Sequence, residues 1–507
     1  MPDVTLEPGA VTAAAPTSTL PIDGAVDNEL IESREAGWQH GWSRAHTVLL
    51  AAVLAIGIAM RLYSMVAFPF DQDELYTLME SRDLFDTRLQ PGIEARPLYY
   101  LIQHPFLELS QSEIGLRVLP TLFGILGLIV TAIAAGGMVG PLAGLAAVAF
   151  AALSPWHLYA SGTARYFSLV YLLSALLAWR LPIAIDGDRR RDFVFVLLVL
   201  VAGTATHPTF AIPAAGVALA VTLVNGGGTV GWHWPSRRAW AWLWLPYAAF
   251  LVAAYAALSL TGNESAVRNW SGRGLAATLR LVPAIVEWAT LPVVALSVAG
   301  AFLLFAVDGP RRRVGAMAIM SALVTVMLLF VMSFSTDVYA DYAIGMLPLA
   351  LIAAGGAVQL MYERLGASRW LGAMLVTGIV IAGGLPSTVS YLFDGLRFDY
   401  RPAFERIVRE APDDPVLAWP VAIQRHYAPQ LESLDLQVSP GRRDRLLETS
   451  GQAWAVVSVK RHGIAADDDG VVASWLADRC RRVESYERPR LDYRMYRVEL
   501  WRCNRDW

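Results

Sequence analysis

Along most of its length the chain repeats one pattern, a run of roughly twenty apolar residues followed by a short polar interruption. A helix needs about 20 apolar residues to cross the hydrocarbon core of a bilayer, because each residue advances it by about 1.5 Å. Runs of that kind lie near residues 45–67, 114–137, 140–158, 163–183, 193–207, 208–225, 238–260, 281–306, 314–335, 339–361 and 370–392. They predict a polytopic α-helical membrane protein of about eleven transmembrane helices. The interruptions orient them, since short cytoplasmic loops carry an excess of Arg and Lys. GDRRRD (187–192), SRR (236–238), GPRRR (309–313) and ERLGASR (363–369) are all basic. With the N-terminus cytoplasmic, alternation puts 68–113, 155–164, the His207-Pro208 turn, 261–280, 335–340 and everything after 393 on the outer face.

Two regions break the pattern. In the outer segment 68–113, Leu75, Leu78, Met79 and Phe85 recur near helical spacing, which predicts a short amphipathic helix on the membrane surface. Pro97 opens a second such stretch, PLYYLIQHPFLEL. Ser110 and Glu113 stand three apart before the next apolar run, the spacing of a capping box. Beyond 393, strand-like runs (PVLAW, LQVS, AWAVVSV, YRMYRVELW) alternate with helix-like ones (AFERIVREA, RRDRLLET, VVASWLADRCRRV). This predicts a small α/β domain. The division is therefore a flexible cytoplasmic tail over 1–44, without the apolar core of a signal peptide, a transmembrane domain over 45–393 with its outer loop 68–113, and an extracytoplasmic α/β domain over 394–507.

Composition narrows the class. With 507 residues, 55% hydrophobic and 17% charged, the chain is too apolar for a soluble single core. A net charge of −3, with the basic residues in short clusters, excludes nucleic acid as a partner. Arginine supplies nearly all the cations, Lys460 being the single lysine, a bias that points to a GC-rich bacterial genome and so to a bacterial plasma membrane. Cys480 and Cys503 belong to no CxxC or Cys/His cluster, so a structural zinc site is disfavoured. Two free thiols and a disulfide in an oxidising compartment both fit.

Candidate chemistry gathers at one end. Asp71, Asp73, Glu74, Glu94, Arg96, Arg117, His157, Arg165, Tyr166 and His207 all fall in outer loops or at outer ends of spans. The middles of the spans hold few ionisable groups, where an ion-coupled transporter needs them. There is no P-loop, GRGLAA (272–277) lacks the strand and helix of a dinucleotide site, and NGGGTVG (225–231) reads as a flexible loop. An activated donor on the outer face would have to be carried by a lipid. Asp71-Gln72-Asp73 spells a D-x-D pair, but two carboxylates alone do not make a Mg²⁺ site. No cofactor is expected, a divalent metal being the less favoured option.

Several stretches match a known pattern: Asp73-Glu74, PLYYLIQH, GLRVLPTLFGIL (115–126), SPWHLYASGTARYFSL (154–169), YADYAIGMLPLALIAA (339–354) and RFDYRPAFERIVREAPDDPVLAW (397–419). In these the sequence resembles the polytopic glycosyltransferases of the GT-C fold, in particular the family 39 group of protein O-mannosyltransferases and lipid A aminoarabinose transferases. The resemblance implies transfer of a sugar, with inversion, from a polyprenyl phosphate to a hydroxyl of an acceptor glycan, glycolipid or protein. It gives Asp73 the position of the catalytic base, accompanied by Glu74. Arg165 and His157 become candidates for the donor phosphate, with Tyr166 as a hydrogen-bond donor, Arg96 and Arg117 behind them, and Glu94, Tyr99 and His207 as further substrate contacts. Two departures stand out. Ala95-Arg96-Pro97 replaces a frequent His-Pro-Pro run, and Asp341-Tyr342 replaces a frequent Arg-Tyr. A lipid or polysaccharide transporter, or a non-catalytic assembly subunit on the same scaffold, is the alternative reading.

Overall fold

The computed structural model describes residues 42–82, 84, 96–110, 112–260, 274–334, 338–419, 421–460, 463–464, 467, 470–491 and 495–506. Glu94 and nearly all of the tail 1–44 lie outside them. Among the described residues seven helices are long and apolar enough to cross a bilayer: Arg44–Ala67, Glu113–Met138, Phe167–Gly187, Arg237–Ala257, Pro310–Met332, Ala340–Arg364 and Gly366–Asp394. Two more spans arise if bent pairs count as one each, Pro141–Leu153 with Pro155–Gly162 (63°) and Leu279–Ala289 with Leu291–Ala306 (96°). That makes up to nine, not the expected eleven. The shortfall lies at 193–207 and 208–225, where the helices Arg190–Thr206 and Ala211–Leu223 have only 17 and 13 residues.

Local chemistry explains the breaks. At the first, Pro155 cannot donate into the preceding turn, and Ser154 caps the new helix by accepting from the His157 N–H at 3.3 Å. Between spans, small residues allow close approach: a side chain at Gly300 would meet the Ala353 carbonyl at 1.9 Å. Arg61, inside the first span, is buried and donates to the carbonyls of Gly57 (2.8 Å) and Ala151 (3.1 Å) and to His157 Nδ1 (2.6 Å). It thus sits on the exposed carbonyls at the end of Pro141–Leu153, where a cation is favoured.

Both helices expected in the outer segment form, at Gln72–Arg82 and Pro97–Leu109. The capping box does not. Ser112, not Ser110, caps Glu113–Met138, accepting from the Gly115 N–H at 3.1 Å. Glu113 turns instead to the Phe70 N–H (3.2 Å) and the Tyr427 hydroxyl (2.8 Å), contacts from distant segments that outcompete the local one.

The C-terminal unit is a six-stranded mixed sheet with β1 (Val416–Ala418), β2 (Ser433–Asp435), β3 (Gln452–Lys460), β4 (Gly463–Ile464), β5 (Cys480–Glu487) and β6 (Arg497–Asn504) in the order β2-β1-β3-β6-β5, β4 pairing with β3. β1 runs parallel to β2 and β3, while β6 is antiparallel to β3 and β5. Two expectations need correction. LQVS is not a strand, β2 lying just before it. VVASWLADRCRRV is a helix only to Arg479, after which the chain becomes β5. β5 is an exposed edge strand carrying charges, so it lacks the apolar alternation that identifies a strand. Cys480 and Cys503, paired across β5 and β6, form a disulfide.

This unit is packed onto the loop end of the bundle. Phe398, Tyr400, Phe404, Ile407 and Val456 share one apolar cluster with Phe70, Leu75, Leu107 and Leu116. The FPFDQDELYT stretch (68–77) therefore lies between the two halves of the molecule.

Candidate active site

Asp71, Asp73 and Glu74 open the helix Gln72–Arg82, yet each has its own environment. Asp71 is the cap: its Oδ1 accepts from the Gln72 N–H (2.7 Å), and its carbonyl accepts from the N–H groups of Glu74 and Leu75 (3.1 and 3.2 Å). Glu74, three residues on, reaches back to accept from the Asp71 N–H at 3.0 Å, as the third helical residue of a capping box does. Burial, reinforced by the Asp73 charge, pushes the Asp71 carboxyl up to about 6.

Glu74 is fully buried. Oε1 accepts from Arg117 Nε (2.7 Å) and the Ala164 N–H (2.7 Å), Oε2 from Arg117 Nη2 (2.7 Å) and Arg397 Nη1 (2.9 Å). Burial alone would raise its pKa, but the two guanidiniums outweigh it and hold the carboxyl at about 2. Arg117 also donates to the carbonyls of Phe68 (2.7 Å) and Pro69 (2.8 Å). Every lone pair of this carboxylate is engaged, so Glu74 and Arg117 are internal partners here.

Asp73 is the contrast, about half exposed with its Oδ2 3.7 Å from Arg165 Nη2. Arg165 also donates to the Asp73 carbonyl (3.3 Å) and the Thr77 hydroxyl (3.4 Å). Its guanidinium carbon lies 5.0 Å from the centre of the Tyr166 ring, and that of Arg96 lies 4.9 Å from the same centre. His207 stacks on Tyr166 at 4.5 Å, and Tyr342 packs against His207 at 5.0 Å. The Thr209 N–H donates to His207 Nδ1 (3.3 Å), which leaves the imidazole proton on Nε2. Tyr99 joins from the helix Pro97–Leu109, its ring 6.2 Å from Tyr166. Arg96 Nε, Arg165 Nε and the hydroxyls of Tyr99 and Tyr166 are buried atoms with no protein partner. Such a group of donors beside a half-exposed carboxylate suits an anionic oxygen-rich ligand.

The structure thus brings Asp73, Arg96, Tyr99, Arg165, Tyr166 and His207 together and leaves others out. His157 is fully buried at the helix break, its Nδ1 accepting from Arg61 and its ring 4.1 Å from that of Tyr171. It faces the bundle interior. Asp341 adjoins Tyr342 and has a buried, unpartnered Oδ1. Among the described residues no group of three or more His, Cys, Asp or Glu is arranged to hold a metal. Two site contacts escaped sequence reading, Arg61 and Tyr342. Arg61 carried a signal, since an arginine in an apolar span implies buried acceptors. Tyr342 gave none beyond its place in YADYAIG. The capping spacing of Asp71-x-x-Glu74 was also there to be read.

No family model and no curated protein matches the chain. Solved structures do. ArnT from Cupriavidus metallidurans in the apo state is similar over 91% of this chain and 99% of its own, at 17% identity and a TM-score of 0.55. The same protein bound to undecaprenyl phosphate matches over 89% and 97%, at 16% identity and a TM-score of 0.52. The Archaeoglobus fulgidus oligosaccharyltransferase tethered with an acceptor peptide matches over 82% and 69%, at 9% identity and a TM-score of 0.54. At these identities the likeness establishes the fold. The chain has the GT-C fold and is a multi-pass membrane protein.

Proposed function

We propose that this chain is an inverting glycosyltransferase that moves a sugar from a polyprenyl-phosphate donor to an acceptor hydroxyl. The observation that carries the reading is the contact of the half-exposed Asp73 carboxylate with Arg165, whose guanidinium shares the Tyr166 ring with Arg96. In this reading Asp73 takes the acceptor O–H proton as that oxygen attacks the anomeric carbon. The bond from that carbon to the phosphate oxygen breaks on the opposite face, and its electron pair stays on the phosphate. Arg165 and Arg96 stabilise the charge that develops there, with the Tyr99 and Tyr166 hydroxyls as neutral donors. Arg96 supplies the cation that Asp341 cannot. Glu74 and Arg117 hold the base's helix rather than touch substrate. The basic loops support a cytoplasmic N-terminus, and the Cys480–Cys503 disulfide supports an oxidising compartment for the sheet unit. The undecaprenyl phosphate bound by ArnT supports a polyprenyl chain on the donor.

Incubating the purified protein with a panel of polyprenyl-phosphate sugars tests this, with release of polyprenyl phosphate as the expected result. Movement of the intact lipid across liposomes, its glycosidic bond uncut, would make the protein a transporter instead. Arg165→Gln and Arg96→Gln are each expected to cost about 10- to 100-fold in kcat/KM for the donor, the worth of a charge-assisted hydrogen bond. An unchanged donor dependence in both variants would move the phosphate site elsewhere.

A further inference from the structure

We propose that Arg397 is a positioning residue that fixes the distance between Asp73 and Arg165, and so makes the sheet unit part of the catalytic alignment. This rests on the reading of Asp73 as the base. Arg397 is the third residue after the last span, whose helix ends at Asp394. Gly395 and Leu396 follow with φ of 65° and 59°, two successive left-handed residues, the second a leucine for which that conformation is strained. Both halves of the molecule hold this turn. The Leu396 N–H donates to Asp394 Oδ1 at 2.8 Å, and Asp394 Oδ2 accepts from Arg490, in the connection between β5 and β6. Arg488, from the same connection, donates to the Phe393 carbonyl (2.7 Å) and to Asp399 Oδ2 (2.9 Å).

The consequence is where the turn sends the next side chain. Arg397 is buried and donates to four acceptors on two separate segments. Nη1 reaches the Pro69 carbonyl (3.2 Å) and Glu74 Oε2 (2.9 Å), which flank Asp73 in the chain. Nη2 reaches the Gly162 carbonyl (2.6 Å) and the Thr163 hydroxyl (2.8 Å), three and two residues before Arg165. One rigid planar group therefore spans the segment that presents the base and the segment that presents the phosphate-side cation. Arg117, by comparison, donates to Met65, Phe68, Pro69 and Glu74, all on the base's side. A lysine at 397 would keep the charge opposite Glu74 but has one nitrogen, which cannot serve both segments.

The test is Arg397→Lys in the full-length protein, with two readouts. Donor turnover is expected to fall roughly 10- to 100-fold in kcat with KM for the donor nearly unchanged, because alignment is lost and binding is not. Amide hydrogen exchange at Asp71 and Ala164, whose N–H groups both donate to Glu74, is expected to quicken roughly tenfold as the two segments loosen. Unchanged kcat and unchanged exchange in the folded variant would overturn the proposal. Should Arg397→Lys fail to fold, Arg490→Gln decides, since it releases the turn and leaves the direct bonds of Arg397 in place. It is expected to move both readouts in the same direction by a smaller factor, and no movement of either would count against the proposal. Exchange needs no catalysis, so if the wild-type protein transfers no sugar, the enzymatic reading fails while the exchange data still decide the role of Arg397.

Discussion

Asp73→Asn is expected to lower the rate of sugar transfer by about 10²- to 10⁴-fold, the usual contribution of a general base, with little change in folding. The substitution is nearly isosteric, and an amide oxygen can still face Arg165, but an amide cannot take up the acceptor proton. What Asp73 gives the fold comes from its backbone, whose carbonyl accepts from Arg165 and the Thr77 hydroxyl whatever the side chain. The carboxylate itself is half exposed and touches Arg165 only at 3.7 Å. Losing such a contact changes stability by no more than about 1 kcal/mol. Initial rates at saturating donor, together with thermal unfolding in detergent, separate the two effects. Full activity in the asparagine variant would remove Asp73 from the role of base.

The next residue is expected to behave in the opposite way. Glu74→Gln should cost about 3–5 kcal/mol of stability, because it leaves two buried guanidiniums without their counter-charge. The new amide nitrogen would also be a donor facing donors, since all five contacts of the carboxylate are accepted bonds. Thermal unfolding in detergent reads this directly, and a loss near zero would show that the triad contributes nothing net. The pH dependence follows from the same contacts. The Glu74 carboxyl is held at about 2 in the folded chain, against about 4.3 for an unperturbed glutamate. The folded state therefore binds fewer protons than the unfolded one in that window. The stabilisation is complete above about pH 4.3 and is lost as pH falls toward 2. The glutamine variant should lack this acid-labile component.

Why two adjacent acids differ so much was not legible in the sequence. Neighbours on a helix point about 100° apart, so one of the pair had to turn inward. Which one depends on Arg117, Ala164 and Arg397, which lie 43, 90 and 323 residues away. The elements that could be read were those with a local cause: the long apolar runs, Pro97 at a helix start, and β3 and β6 with their apolar residues. β5 was missed because its residues are mostly exposed and charged, and the strand is defined by its partner β6, which the tertiary fold supplies. Of the candidate residues, Asp73, Arg165, Tyr166 and Arg96 lie together. The inward turn of His157 was not legible, because it depends on Arg61, 96 residues earlier. Arg397 lay within a stretch that drew notice for its resemblance, but its burial depends on the left-handed turn at Gly395 and Leu396, which an apolar pattern does not encode.

Arg61 also bears on how the chain is made. Its span leaves the ribosome before the helices it packs against, and two of its acceptors, the Ala151 carbonyl and His157 Nδ1, follow 90 and 96 residues later. At a synthesis rate of about 5–20 residues per second, that is a delay of roughly 5–20 s. Through that interval the guanidinium has only the Gly57 carbonyl of its own helix, and the headgroup layer is the place where its charge costs least. The first helix therefore enters the bilayer as a provisional element. It reaches its final depth when the segment 141–162 arrives to receive the arginine, so that part of the bundle assembles from a later segment back onto an earlier one.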